Sequence, residues 1–183
     1  MSTYENLHGK RVNVVSTNPS NPGDGEVWYN STLGQLKGYV LGVGSWASGG
    51  AHPTGVIQGA SAGSQTALWY AAGSTAAVPT ASGATNATKH YNGTSWTAGG
   101  NYPNSDFGLR GTGTLTAGLA CGSFSKINRT GEYDGSAWTS GGTLNTGRSG
   151  SNVFGVQTAG VAGGGDLHPD SPRLSNASEE YDG

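Results

Sequence analysis

Tyr91-Asn92-Gly93-Thr94-Ser95-Trp96-Thr97-Ala98-Gly99-Gly100 recurs, 42 residues on, as Tyr133-Asp134-Gly135-Ser136-Ala137-Trp138-Thr139-Ser140-Gly141-Gly142. A looser copy runs from Tyr39 to Ser45-Trp46-Ala47-Ser48-Gly49-Gly50, and another opens at Tyr181-Asp182-Gly183. Self-similarity of this kind is the signature of a repeat architecture. Asn92-Gly93 and Asp134-Gly135 stand between β-favouring residues, where they supply the positive φ values of a two-residue type I′ hairpin turn. Tyr91, Trp96, Tyr133, Trp138 and Tyr181 therefore form a repeat framework on the arms of hairpins. Their recurrence at one phase points to packing rather than to ligand stacking, each buried ring contributing on the order of 2–3 kcal/mol.

A second block follows each copy: Thr66-Ala67-Leu68-Trp69-Tyr70-Ala71-Ala72-Gly73, then Thr116 to Gly122, then Thr158 to Gly164. The Trp-to-Thr distance is 20 residues every time, whereas the run from the second block to the next Tyr is 25, 17 and 23. Constant spacing marks scaffold and variable spacing marks loops. The block reads as an inner strand approached closely by another backbone, so Ala71, Cys121 and Gly163 are all small. Cys121, the single cysteine, is then a small core residue rather than a nucleophile, since the sequence places no base beside it.

Composition agrees with strands and turns. The 183 residues include 34 Gly, 21 Ser and 19 Thr, residues that weaken helix interiors. The 5 Trp and 8 Tyr, at 11% charged residues, argue against disorder. The expected class is all-β with almost no helix. A net charge of −2 without a basic run gives no footprint for nucleic acid. The start lacks the apolar core of a secretion signal, and no stretch reaches the length of a membrane-spanning helix. The expectation is synthesis in the cytoplasm without membrane insertion, and one cysteine excludes an intrachain disulfide framework.

Residues 1–38 differ in kind. Val12-Asn13-Val14-Val15 alternates as a strand and Asn18 to Gly25 is a hard turn. Glu26 to Asn30 with Gln35 to Val40 then forms a hairpin around Ser31-Thr32-Leu33-Gly34. The sequence thus divides into an N-terminal β-arm, 1–38, and a repeat region, 39–183, with units of about 39–90, 91–132 and 133–180 and a partial one at 181–183.

The order of a small-apolar run ending in glycine, a variable loop, Tyr and then Trp resembles the kelch motif over residues 39–183. That resemblance implies one four-stranded β-propeller blade per repeat. Tyr and Trp are one residue closer together than in that family, and the diglycine is intact only at Gly163-Gly164. Three units and a fragment fall short of the 4–8 blades that close a propeller. Either the natural chain continues beyond Gly183, which the half-made hairpin favours, or protomers complete one another. Asn21-Pro22-Gly23-Asp24-Gly25-Glu26-Val27-Trp28-Tyr29-Asn30, closing with Leu36-Lys37-Gly38-Tyr39, resembles a hairpin of tail-fibre and other virion proteins of bacteriophages, notably marine ones.

Nothing in the sequence resembles a catalytic motif. His8, His52, His90 and His168 are at least 38 residues apart, so no local metal pair exists. No metal, cofactor or catalytic residue is expected. The two resemblances imply a non-enzymatic virion structural protein, a fibre, tail or capsid-surface appendage. In that reading the arm docks on other virion proteins through Val27, Trp28, Tyr29, Leu36 and Tyr39, and a homo-oligomer displays loops to a host-surface glycan or protein. The candidate ligand-binding loop residues are Lys126, Arg129, Asp166, His168 and Asp170, the last three combining two carboxylates and an imidazole. A solvated loop stiffened by Pro169 and Pro172 is the plainer reading of that segment. The alternatives are a cellular kelch-like protein-binding scaffold and an extracellular adhesin or carbohydrate-active protein.

Overall fold

Alternation of small apolar and polar residues, broken every few positions by glycine, gives strands of three to five residues. The computed structural model describes residues 12–40, 42, 44–78, 81–125, 128–167 and 173–183. Among these the protein is all-β, with 14 strands in four sheets and a single 3-10 turn, Ala81–Gly83, as its only helix. The chain divides into two units between Ala47 and Ser48, so the Tyr39–Trp46 copy of the repeat belongs with the arm.

In the first unit β2 (Val27–Asn30) and β3 (Gln35–Gly38) form the expected hairpin, turning at Gly34 with φ 62°. β1 (Asn13–Val15) pairs parallel to the other edge of β2. Trp28 and Asn30 face inward, and Val27 and Tyr29 face outward. Asn18 Oδ1 accepts from Trp28 Nε1 (3.2 Å) and Asn30 Nδ2 (2.9 Å), which ties the Pro/Gly-rich turn to the sheet.

The second unit contains three antiparallel meanders. The first is β4 (Ala60–Ser64), β5 (Ala67–Ala71), β6 (Thr88–Tyr91) and β7 (Trp96–Ala98). The second is β8 (Arg110–Thr114), β9 (Ala117–Cys121), β10 (Thr130–Tyr133) and β11 (Trp138–Ser140). The third is β12 (Asn152–Val156), β13 (Ala159–Gly163) and β14 (Ser178–Tyr181). Each Tyr–Trp hairpin closes a sheet rather than opening one, so the sequence period is offset from the structural unit. A repeat has no origin of its own, and hydrogen bonding sets one. The first strands lie side by side, β4 against β8 and β8 against β12.

The hairpin turns differ from the two-residue form expected. Tyr91 pairs with Trp96, and Tyr133 with Trp138, across four-residue loops. Asn92 Oδ1 accepts from the N–H groups of Thr94 and Ser95, and Asp134 Oδ1 from those of Ser136 and Ala137. A side chain that mimics a backbone turn competes with the tight I′ turn, while Gly93 and Gly135 still take positive φ (95° and 96°).

Sheets interlock through one large residue set over glycine. Trp69, fully buried, lies over Gly118 and Gly111, where a Cβ on Gly111 would be 2.6 Å from its ring. One sheet on, Leu119 lies over Gly160, with 2.8 Å left for a Cβ. Trp138 packs against Trp69, Tyr102 and Tyr133 at centroid distances of 5.1, 5.0 and 4.7 Å. Each Gly-Gly pair is a latch for the next tyrosine. Gly50 N–H donates to Tyr91 Oη (3.2 Å), Gly142 N–H to Tyr181 Oη (3.3 Å), and Gly100 N–H to Tyr133.

Candidate functional site

The residue two before each first strand has positive φ: Gln58 (60°), Gly108 (78°) and Gly150 (63°). Gly108 N–H donates to Gln58 O (2.8 Å) and Gly150 N–H to Gly108 O (2.9 Å), so the three strand entrances are stitched together. These entrances form one wall of a concavity of about 590 Å³, within the range of small-ligand sites. A further part of its wall comes from the loops after β9 and β13, including Phe124, Asp166 and Arg173.

Asp166 is the residue on which this wall is built. Its backbone exchanges hydrogen bonds with Ser149 (2.8 and 3.1 Å), and its carboxylate accepts from Arg173 Nη2 (2.9 Å) and Nε (3.1 Å). Arg110, partly buried, donates from Nη1 to Leu109 O (2.8 Å) and lines the same concavity. Phe124 stands at the rim, 53% exposed and stacked on buried Phe107 at 4.6 Å. Two guanidinium groups, a carboxylate, hydroxyls and an open aromatic face are suited to hydrogen-bonding and stacking a polar ligand.

Of the loop residues expected from sequence, Asp166 lies in this concavity. Arg129 is exposed and lines a different one, about 220 Å³, with Tyr102, Pro103 and Asn104. Lys126, His168 and Asp170 lie outside the described residues. Of the arm residues, Trp28 is buried, whereas Val27, Tyr29, Leu36 and Tyr39 are exposed. Tyr29 pairs with Leu36 on one side and Val14 on the other, so Val14, Tyr29 and Leu36 form an exposed apolar row across all three strands. Of the framework, Tyr133 is fully buried, Tyr91, Trp96, Trp138 and Tyr181 are half-buried, and Trp46 of the looser copy is fully exposed.

Arg110, Phe124 and Arg173 were not anticipated, nor was Arg148, which is 1% exposed and ion-paired with Glu179. Arg148 also donates to Gly164 O and Ala177 O (3.0 Å each). It occupies the place held one repeat earlier by buried Asp106, each ten residues after the repeat's Trp, and that spacing was the available signal. Burial pushes the Cys121 thiol up to about 11, which leaves it a poor nucleophile. No group of three or more His, Cys, Asp or Glu among the described residues is placed to hold a metal ion.

No family model matches the sequence, and neither does any curated protein. Among solved structures, that of YjhT matches with a TM-score of 0.55 at 11% identity, over 83% of this chain and 47% of YjhT. The likeness defines a shared β fold, and this chain spans just under half the length of that neighbour.

Proposed function

We propose that the three meanders are blades of a kelch-like β-propeller, and that the protein is a non-enzymatic bacteriophage virion component. The N-terminal arm docks it on the particle, and the propeller loops face outward to bind a host-surface glycan or protein. The observation that carries this reading is the arm. It is a separate unit whose sheet presents Val14, Tyr29 and Leu36 to solvent at 64%, 39% and 65% exposure, an apolar row of the kind that marks an interaction surface. Side-by-side first strands of successive meanders, β4 against β8 and β8 against β12, support the propeller. The concavity with Phe124, Arg110, Asp166 and Arg173 supports ligand display, because exposed loops on a rigid scaffold are where binding residues concentrate.

Peptide mass spectrometry of density-purified particles tests the reading. The chain is expected beside capsid and tail proteins, and Tyr29→Asp with Leu36→Asp should remove it from particles while the soluble protein stays folded. Absence of the wild-type chain from particles would move the assignment to a cellular scaffold. Alanine at Arg110, Phe124 and Arg173 should lower host adsorption, and unchanged adsorption would remove the concavity from the receptor-binding role.

A further inference from the structure

Two positions recur through the three meanders with the side chain changed each time. The first lies two residues after each positive-φ entrance and is Ala60, Arg110 and Asn152 in turn. The second lies three residues beyond the end of β5, β9 and β13 and is Ser74, Phe124 and Asp166. There the N–H group donates to Ile57 O (2.8 Å), Phe107 O (2.7 Å) and Ser149 O (2.8 Å), so the fold holds the three backbones alike. Ala60 is fully buried, and Ser74 Oγ accepts from Ala76 N–H (3.2 Å), so the scaffold itself needs neither a charge nor an open ring at these places. Arg110, Phe124 and Asp166 all line the concavity of about 590 Å³. A side chain that varies on a fixed backbone at a loop end is where recognition is built.

Hydrogen-bond donors outnumber acceptors in this lining. Arg110 donates from Nη1 to Leu109 O, and among the described residues no acceptor meets its Nε and Nη2 hydrogens and no carboxylate forms an ion pair with it. Nη2 stands 3.9 Å from where a Cβ on Gly150 would lie, so a glycine keeps this edge of the guanidinium open. Ser175 Oγ accepts from Arg148 Nη1 (3.3 Å) and Ala177 N–H (3.2 Å), which leaves its own proton to donate. The Asp166 carboxylate is engaged through both oxygens by Arg173. Arg110 and Arg173 against Asp166 leave the lining at +1, on a chain whose net charge is −2.

We propose that the concavity binds an acidic saccharide, a sugar bearing a carboxylate or a sulfate, with the oxyanion on the Nε and Nη2 edge of Arg110 and a sugar ring laid on Phe124. An ionised oxyanion accepts hydrogen bonds and donates none, which matches a lining with surplus donors, and a guanidinium edge offers it two parallel bonds. Carboxylate and sulfate each carry the single negative charge that offsets the lining. Phe124, 53% exposed and backed by buried Phe107, presents an apolar face that cannot retreat when a ring stacks on it. A concave site of this size takes a sugar unit rather than the broad face of a protein. The inference rests on the ligand-display reading above and names the ligand class.

NMR titration of the full chain with methyl glucoside, methyl glucuronide and sulfated methyl glucoside separates charge from ring. At least one acidic sugar should bind about tenfold or more tightly than the neutral one, the factor that one charge-assisted hydrogen bond supplies, and the tighter of the two identifies the acid. Arg110→Gln, with an unchanged circular dichroism spectrum, should bind all three alike, whereas Phe124→Ala should weaken all three and keep the preference. In the wild type, added NaCl should weaken the acidic sugars and leave the neutral one unchanged, a test that needs no variant to fold. Equal binding of acidic and neutral sugars, a preference that survives Arg110→Gln, or no binding of either acidic sugar overturns the proposal. If acidic sugars bind through Arg110 while Arg110→Gln leaves host adsorption unchanged, the site stands and its receptor role falls. If neither acidic sugar binds yet that variant blocks adsorption, the receptor role stands and the acidic-saccharide assignment falls.

Discussion

His90 of β6 and Tyr133 of β10 meet across the junction of the first two sheets, ring nitrogen to phenol at 2.6 Å, with Tyr133 fully buried. Burial lowers the His90 pKa and raises that of Tyr133, so a neutral imidazole and a protonated phenol share this hydrogen bond. Gly100 N–H donates to the same phenol oxygen, and the three groups hold two sheets in register.

This pair makes stability depend on pH with a definite sign. The folded-state pKa of His90 lies below its ordinary value of about 6.5, so below that pH the unfolded chain binds more protons than the folded one. The His90 contribution is complete above about pH 6.5 and is lost as pH falls from there through the folded value. Thermal unfolding of wild type and His90→Gln across this range should show the wild type losing more stability on acidification. Parallel profiles would mean that the ring does not titrate between the two states.

Arg148 and Glu179 form an ion pair at 1% and 12% exposure. Removing one partner of such a pair leaves a buried charge, which costs about 3–5 kcal/mol. Arg148→Ala should therefore lower the denaturant midpoint severely. Arg148→Met with Glu179→Leu should recover part of the loss, since no charge is then stranded. Additive losses in the double variant would show that the carbonyls held by Arg148 matter more than its charge.

The strands were legible because Tyr, Trp and Thr recur at fixed distances, and a fixed distance on a strand fixes its face. The origin of the repeat was not legible, because Tyr91 looks alike whether it opens a unit or closes one. The parallel pairing of β1 to β2 leaves no local mark either, since Asn13 and Trp28 meet only after a long turn. In the concavity, Asp166 stood out by its neighbours in sequence. Arg110 reads as an ordinary strand start and Phe124 as a loop hydrophobe until three loops converge.

Gln58 holds φ 60° where the equivalent Gly108 and Gly150 hold 78° and 63°. The left-handed region costs a non-glycine residue about 1–2 kcal/mol, partly offset by the greater chain entropy of glycine when unfolded. Gln58→Gly should therefore stabilise by up to about 1 kcal/mol. Gly150→Ala, where a Cβ meets only the tip of Arg110 at 3.9 Å, should destabilise by about 1 kcal/mol from backbone strain alone. Urea melts of the two variants should move in opposite directions, and movement in the same direction would remove φ as the cause.

The contact of Trp69 with Gly118 makes a final case, because its logic is repeated with smaller pieces one sheet later. Trp69 is fully buried and its Nε1 donates to Thr114 O (2.9 Å), so the ring is fixed at both ends and cannot retreat from a new methyl group. A Cβ on Gly118 would overlap it. Overpacking of a well-fitted core costs about 1–3 kcal/mol, and a ring tied by a hydrogen bond puts Gly118→Ala at the upper end. Leu119 over Gly160 shows that a leucine fills the same slot. Trp69→Leu alone should lose about 2–4 kcal/mol through the cavity it leaves. Adding Gly118→Ala to it should cost less than in the wild type, since the methyl group enters space the indole has vacated. Denaturant unfolding of the four proteins measures the coupling, and a coupling of zero would mean that sheet spacing is set elsewhere.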